Sequence, residues 1–351
     1  MVKKTKHPRC PLCLKSEFVI KHQKRNYVRR YLCKKCGKTF SKDYSFGKPS
    51  SKDLANLYLD GVSFGKIGKQ VNCVGSLVYK NVKEFLDKLP SNLDVTREFC
   101  DVSKFSGLPE VGGAYLNVGG YKDKIPAIYG IDFLTHDIPH FALVPSENYP
   151  AFLAFFEHLD LLGYNLKYVV CDDTDAIKRA AKYIFPNVVI QTCLKHYRNN
   201  IQEDLGLKTS KKYLDFYLAV NEMFVKRLCL PELLWEIAKI HNHNIYSDDE
   251  KCVSWLADIY MRREELTNYH QFEYAPNTTN LIEGYNSHLK SRLNSIRGFS
   301  SFKNAKVWLN AYFLKRRLSK FTDCKGMFKK LNGFLSLEKT KKDEVSLPKI
   351  F

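Results

Sequence analysis

Two cysteine pairs, Cys10-x-x-Cys13 and Cys33-x-x-Cys36, open the chain with nineteen residues between them. Each pair suits a tight turn, and two such turns offer four thiolates to one tetrahedral zinc ion. That spacing predicts short strands around a metal over residues 8–40, the outline of a zinc ribbon filling 1–45. The setting is extremely basic. Residues 1–50 hold fifteen Lys or Arg against Glu17 and Asp43, which is +13 of the chain's formal +19. A compact metal knuckle carrying that charge fits a nucleic-acid backbone, with Arg29 and Arg30 of the RNYVRRYLC strand as candidate contacts.

The rest of the chain is too long and too apolar for a simple basic tail. Its 351 residues are 44% hydrophobic, which argues against wholesale disorder and leaves room for two or three domains. No lipidation motif stands out, and no uninterrupted apolar run approaches the length of a membrane span. The first residues, MVKKTKHPRCPLC, lack the apolar stretch of a signal peptide. Seven further cysteines (73, 100, 171, 193, 229, 252 and 324) follow no disulfide framework. Reduced thiols and an intracellular place on DNA are expected, in a prokaryotic cytoplasm or nucleoid or in a nucleus.

KTFSKDYSFGKPSSK reads as a linker. Three helices should follow over 51–90: Ser51–Asp60, stopped by Gly61; a second capped by Ser63, with Phe64, Ile67 and Val71 on one face; and a third spacing Val78, Val82, Phe85 and Leu89 up to Pro90. Two helices joined by a tight turn after a basic ribbon outline a helix-turn-helix. Its third helix would read DNA through Tyr79, Lys80 and Lys83. Residues 91–110 again read as linker. Then AYLNVGG, IPAIYGIDF and IPHFALVP alternate as strands, NYPAFLAFFEHLDLLG as a helix, LKYVVCD as a buried strand, TDAIKRAAKYIF as a helix and NVVIQT as a strand. This order predicts an α/β, ribonuclease-H-like mixed sheet beginning at 110–192. Residues 193–275 read as helical, with NEMFVKRLCLPELLWEIAKIHNHN and SWLADIYMRREELTNYH the clearest pieces. Helices at 280–297 and 301–320, after NTTN and GFSS capping signals, lie in a final section over 276–335.

Two acids carry the chemistry. Asp172 ends the LKYVVCD strand and Glu283 begins the NLIEGYNSHLKSRL helix. A strand-end carboxylate points into the crevice above a sheet, and a helix packed on that sheet can bring a second. Such oxygens hold Mg²⁺ or Mn²⁺ for two-metal phosphoryl transfer. Cys193-x-x-His196 offers two zinc ligands, with no further pair evident nearby in sequence. The run from Lys290 to Lys320, including Arg292, Arg297, Lys315, Arg316 and Arg317, suits the DNA backbone, whereas Trp308, Tyr312 and Phe313 read as core.

The wider phrasing resembles the Mutator-like transposases and their prokaryotic relatives. Asp172 precedes a helix ending in Phe185-Pro186; a strand then leads to Cys193-x-x-His196 and Arg198-Asn199; Thr279-Asn280-x-x-Glu283 follows after a helical stretch. GIDFLTHDIPHFALVPSENYPAF is similar to the family's second and third strands and the helix after them. The resemblance covers roughly 110–320. It implies a ribonuclease-H-like core split by an all-helical insertion, with an Asp-Asp-Glu triad in which Asp172 is the second Asp and Glu283 the Glu. It also implies terminal inverted repeats and target DNA as partners, a homo-oligomer on DNA, and His196 near the scissile phosphate. The first Asp departs from the pattern. EVGGAYLNVGG puts Gly112 where the family carries the carboxylate, and Asp132 on the next strand is the candidate substitute. The reading is therefore a cut-and-paste transposase with one structural zinc and two catalytic divalent ions where the site is intact. The alternatives are a catalytically inactive, transposase-derived DNA-binding regulator and, more distantly, a zinc-ribbon RNA-binding factor.

Overall fold

The computed structural model describes residues 7–10, 12–25, 28–41, 49–242 and 246–351. The chain forms two compact units, Met1–Ser50 and Ser51–Phe351. In the first, β1 (Val19–Arg25), β2 (Val28–Cys33) and β3 (Thr39–Ser41) make an antiparallel sheet in the order β1-β2-β3. Its small core is Cys10, Val19 and Cys33, with the Tyr31 and Phe40 rings packed against them. The centre of the expected linker, residues 42–48, lies outside the described residues.

The second unit opens with α1 (Ser51–Leu59), α2 (Phe64–Gln70) and α3 (Gly75–Asp87), close to the expected boundaries. The Ser63 hydroxyl accepts from Lys66 N at 3.4 Å and so caps α2. A side chain at Gly68 would put its Cβ 2.5 Å from the Cys73 carbonyl, so glycine is needed for the turn to close against α2. These helices do not bury a core of their own. Leu54, Ile67, Val78 and Val82 join one apolar cluster with Leu289, Trp308 and Phe313 from the far end of the chain.

The stretch read as a second linker is α4 (Asn92–Phe99), capped by Ser91, whose hydroxyl accepts from Asp94 N at 3.0 Å. Its Asn92 and Thr96 are buried against later elements, a tertiary gain invisible to a local polarity reading. The main sheet follows: β4 (Pro109–Leu116), β5 (Ile125–Asp132), β6 (Phe141–Leu143), α5 (Tyr149–Leu161), β7 (Tyr168–Cys171), α6 (Asp175–Ile184) and β8 (Val189–Thr192). The strand order is β6-β5-β4-β7-β8. The first two pairings are antiparallel, and β4, β7 and β8 run parallel. β5 is buried along its whole length, as an interior strand covered on both faces must be. β4 starts five residues before the Ala114 expected from sequence, so Glu110 and Gly112 lie within the strand.

Helices α7 (Leu194–Asp204), α8 (Leu214–Val225), α9 (Leu230–His241), α10 (Glu250–Met261) and α11 (Arg263–Thr267) then bury a separate cluster that includes Ile201, Val220, Ile237 and Leu256. The helical piece NEMFVKRLCLPELLWEIAKIHNHN holds the end of α8 and the whole of α9. Arg227 takes a left-handed φ of 54° and Pro231 begins α9, where its missing N–H costs nothing. The chain returns through α12 (Asn280–Ile296), α13 (Phe302–Arg317) and α14 (Ser336–Thr340). Among the described residues no helix is long and apolar enough to cross a membrane.

Candidate active site

The parallel pairing of β4 with β7 sets Glu110 beside Val170. Two residues further along each chain stand Gly112 and Asp172, so these positions face the same end of the crevice. α12 packs on β4: a Cβ at position 112 would lie 3.6 Å from Ile282 Cδ1, an ordinary contact. Glu283 is the next residue on that helix. α7 leaves the sheet directly after β8, with Cys193 N donating to Cys171 O at 2.8 Å. That turn brings His196 between the two acids. Its Nδ1 is 2.7 Å from Asp172 Oδ1 and its Nε2 is 3.5 Å from Glu283 Oε1. The crevice they line, with Gly112, Gly113 and Asn286, has a volume of 690 Å³.

The electrostatics follow from these contacts. The hydrogen bond to Asp172, with help from Cys193, holds the His196 imidazole up to about 10. Burial pushes the Cys193 thiol up, but hydrogen bonds from His196 and Thr279 outweigh it and hold it below the usual thiol range. Lys195 Nζ pairs with Glu283 Oε2. Sequence reasoning overlooked this lysine, although it sits inside the C-x-x-H phrase.

Glu110 was also missed. It is 1% exposed, and its Oε2 accepts from Ile282 N at 2.8 Å. The capping group of α12 therefore comes from β4, not from the NTTN signal. Thr279 makes no side-chain cap and turns its hydroxyl toward Cys193 Sγ at 3.2 Å. Burial lifts the Glu110 carboxyl to about 8 despite the N–H groups it receives. The only sequence signal for this role was an acid at strand spacing from the Gly112 position.

Asp132 does not reach the crevice. It pairs with Pro109, three positions from the Gly112–Tyr129 pair and so roughly 10 Å along the strand. Its carboxylate is fully buried and accepts from Ser106, Gly107, Thr135 and Tyr164. It organises a turn. Arg317 is likewise no DNA contact: it is 0% exposed and forks onto Asp137 with two bonds of 2.8 Å. Lys315 pairs with Asp60 at 2.8 Å.

Of the other expected DNA contacts, Tyr79 stands half-exposed with its ring edge-on to Phe64, and Lys80 is exposed. Lys83 pairs with Asp87 at 2.8 Å. Arg292 is half-buried beside the Gly61 turn, and exposed Arg297 ends α12 with a φ of 64°. Arg29 is exposed on β2 opposite Lys24, and Arg30 donates to Thr39 Oγ1 at 3.2 Å. In the N-terminal unit the sulfurs of Cys10, Cys13, Cys33 and Cys36 all lie within 4.8 Å of one another, a donor set able to bind zinc.

For Mg²⁺ or Mn²⁺ the fit is partial. Asp172 and Glu283 offer hard oxygen donors on two sides of one crevice. Gly112 contributes none, and the neighbouring Glu110 is spent on the helix end. The set suits one divalent ion and falls a carboxylate short of a two-ion centre.

A mixed five-stranded sheet, flanking helices and a carboxylate-lined crevice define an α/β protein. The family model for Mutator-family transposases matches residues 134–312, just over half of the chain, and the chain belongs to that family. The matched span includes Asp172, His196 and Glu283 and stops short of β4. Among solved structures, a chain of a pre-cleavage Mos1 transpososome is similar at 11% identity and a TM-score of 0.17, covering 42% of this chain and 60% of that one. The search of curated proteins found no match.

Proposed function

We propose that this chain binds the inverted-repeat ends of a mobile element and acts on them by Asp-Asp-Glu-type strand cleavage and strand transfer. One observation carries the reading. Asp172 and Glu283, 111 positions apart in sequence, converge on the two ring nitrogens of His196 in a single crevice. The strand order supports a ribonuclease-H-like core over 110–192, completed by 276–335 and interrupted by a helical insertion over 193–275. The four-cysteine cluster supports a zinc ribbon over 1–45, and α1–α3 support a helix-turn-helix over 51–90, so double-stranded DNA is the partner. A homo-oligomer assembled on DNA fits a reaction that joins two ends.

Bound Mg²⁺ or Mn²⁺ would supply a Lewis acid for the attacking and leaving oxygens. The chain's own part is to hold and aim. Asp172 and Glu283 provide the carboxylates, α12 is fixed in place by Glu110, and His196 with Lys195 keeps positive charge at the mouth where a phosphate would arrive.

Gly112 favours a second reading, a DNA-binding regulator that does not cut. Gly112→Asp distinguishes the two, and the site has room for the new side chain. With the element's own ends as substrate, Mg²⁺-dependent cleavage should appear or rise in Gly112→Asp and vanish when Asp172→Ala is added. Specific DNA binding with no cleavage in either protein would leave the regulator as the function.

A further inference from the structure

We infer that Cys193, His196 and Asp172 form a second zinc site, separate from the cysteine knuckle at the N-terminus and open at its fourth position. In sequence, C-x-x-H supplied only two ligands. The fold supplies the third. A sulfur, an imidazole nitrogen and a carboxylate oxygen from these three residues lie within 4.8 Å of one another. Tetrahedral zinc, with bonds of about 2.0–2.3 Å, needs ligand atoms roughly 3.3–3.8 Å apart. His196 Nδ1 and Asp172 Oδ1, now 2.7 Å apart, would open slightly to admit the ion, and Asp172 is exposed enough to move.

The donor chemistry favours zinc over Mg²⁺. Thiolate and imidazole are soft to borderline ligands that hard cations avoid. The sulfur is also prepared. Cys193 is 0% exposed, and Thr279 donates to Sγ from both its backbone N–H, at 3.3 Å, and its hydroxyl, at 3.2 Å. Two donors aimed at one sulfur stabilise its charged form and fix its direction, as the outer partners of metal ligands do. Three protein ligands with an open fourth position is the arrangement of an accessible rather than a closed zinc site. Glu283 lies 3.5 Å from the other ring nitrogen, where it can steady the imidazole as the outer partner of a ligating histidine does.

The zinc site stands on these contacts alone. Its consequence rests on the proposed cleavage reaction: Asp172 belongs to both sites, so zinc held here removes a ligand from the oxygen-bound ions and inhibits the enzyme.

The test uses the full chain, stripped by a chelator and titrated with Zn²⁺, then with Co²⁺ for its thiolate-to-metal absorption. Wild type should bind one equivalent more than Cys193→Ser, and the variant should lose part of the thiolate band. Cys33→Ser should leave the second equivalent intact. Because Cys193 is buried, Asp172→Asn serves as an independent variant that keeps the thiol, and it should weaken the second equivalent about tenfold or more. Thr279→Val should weaken it by about tenfold as well. Equal stoichiometry in wild type and a folded Cys193→Ser, or unchanged affinity in Asp172→Asn, would overturn the site. Metal is counted without DNA, so a failure of cleavage leaves this result standing, and a failure of zinc binding leaves cleavage standing.

Discussion

The cluster around Arg317 and the cluster around His196 both pair carboxylates with cations, and they are built for opposite ends. Around Arg317 the guanidinium forks onto Asp137, and Asn92, Thr96 and Cys100 take up its remaining donors. Ser336 and Thr340 donate to the same carboxylate. Burial alone would raise the Asp137 carboxyl, but Arg317 holds it below the usual carboxylate range. The group is sealed and saturated, and it ties α4, α13 and α14 to the loop after β5. Around His196, Asp172 and Glu283 are a third to a half exposed, Gly112 adds no carboxylate, and the open side faces a crevice. The first cluster has spent its hydrogen-bonding capacity on the fold. The second keeps capacity in reserve for a ligand. Charge content alone would not tell them apart; saturation does.

That contrast breaks most sharply at the acids. In the Gly112→Asp chain, Asp172→Asn or Glu283→Gln should lower strand cleavage by about three orders of magnitude, because transition-state charge loses its support. Neither should shift the melting midpoint by more than a few degrees. A large loss of stability in either would make the crevice a structural cluster like the other.

Arg317→Ala should do the reverse. Leaving Asp137 buried without its partner should cost about 3–5 kcal/mol, read by chemical denaturation. A change below about 1 kcal/mol would mean the network is not saturated by this arginine.

Glu110 sits between the two types, buried like Asp137 yet beside the crevice. Its native carboxyl stands at about 8 against an ordinary 4.5, so the folded state holds a proton that the unfolded state releases. Stability should be highest below pH 4.5 and decline as pH rises through about 8, then level off. Glu110→Gln should remove that slope, worth on the order of a few kcal/mol at most. Parallel pH profiles for the two proteins would show that the carboxylate is ionised at the helix end.

The smallest effect belongs to a surface cation. Lys80→Ala should leave stability within about 0.5 kcal/mol and lower the salt dependence of DNA binding by about one ion. An unchanged salt slope would take Lys80 out of the DNA interface.

Much of the fold was legible because local rules and tertiary packing agree. Ser63 caps α2 as its spacing suggested, the apolar alternation of IPAIYGIDF became β5, and Pro90 closes the helical run. The failures lie where packing overrode local preference. Gly112-Gly113 hid the first half of β4, which is held as a strand by neighbours on both sides. Asn92 and Thr96 looked like linker residues until Arg317 gave them partners. Arg317 looked like a DNA contact because charge in sequence carries no record of burial.

Residue type and short spacing were enough to read the four-cysteine pattern and the family, and to single out Asp172, His196 and Glu283 as candidates. Tertiary structure alone decided three further things. Glu110 caps the helix that carries Glu283, Asp132 is spent on Ser106 and Tyr164, and Asp172 joins Cys193 and His196. Each joins groups far apart in the chain, and only the order of strands in the sheet brings them within bonding distance.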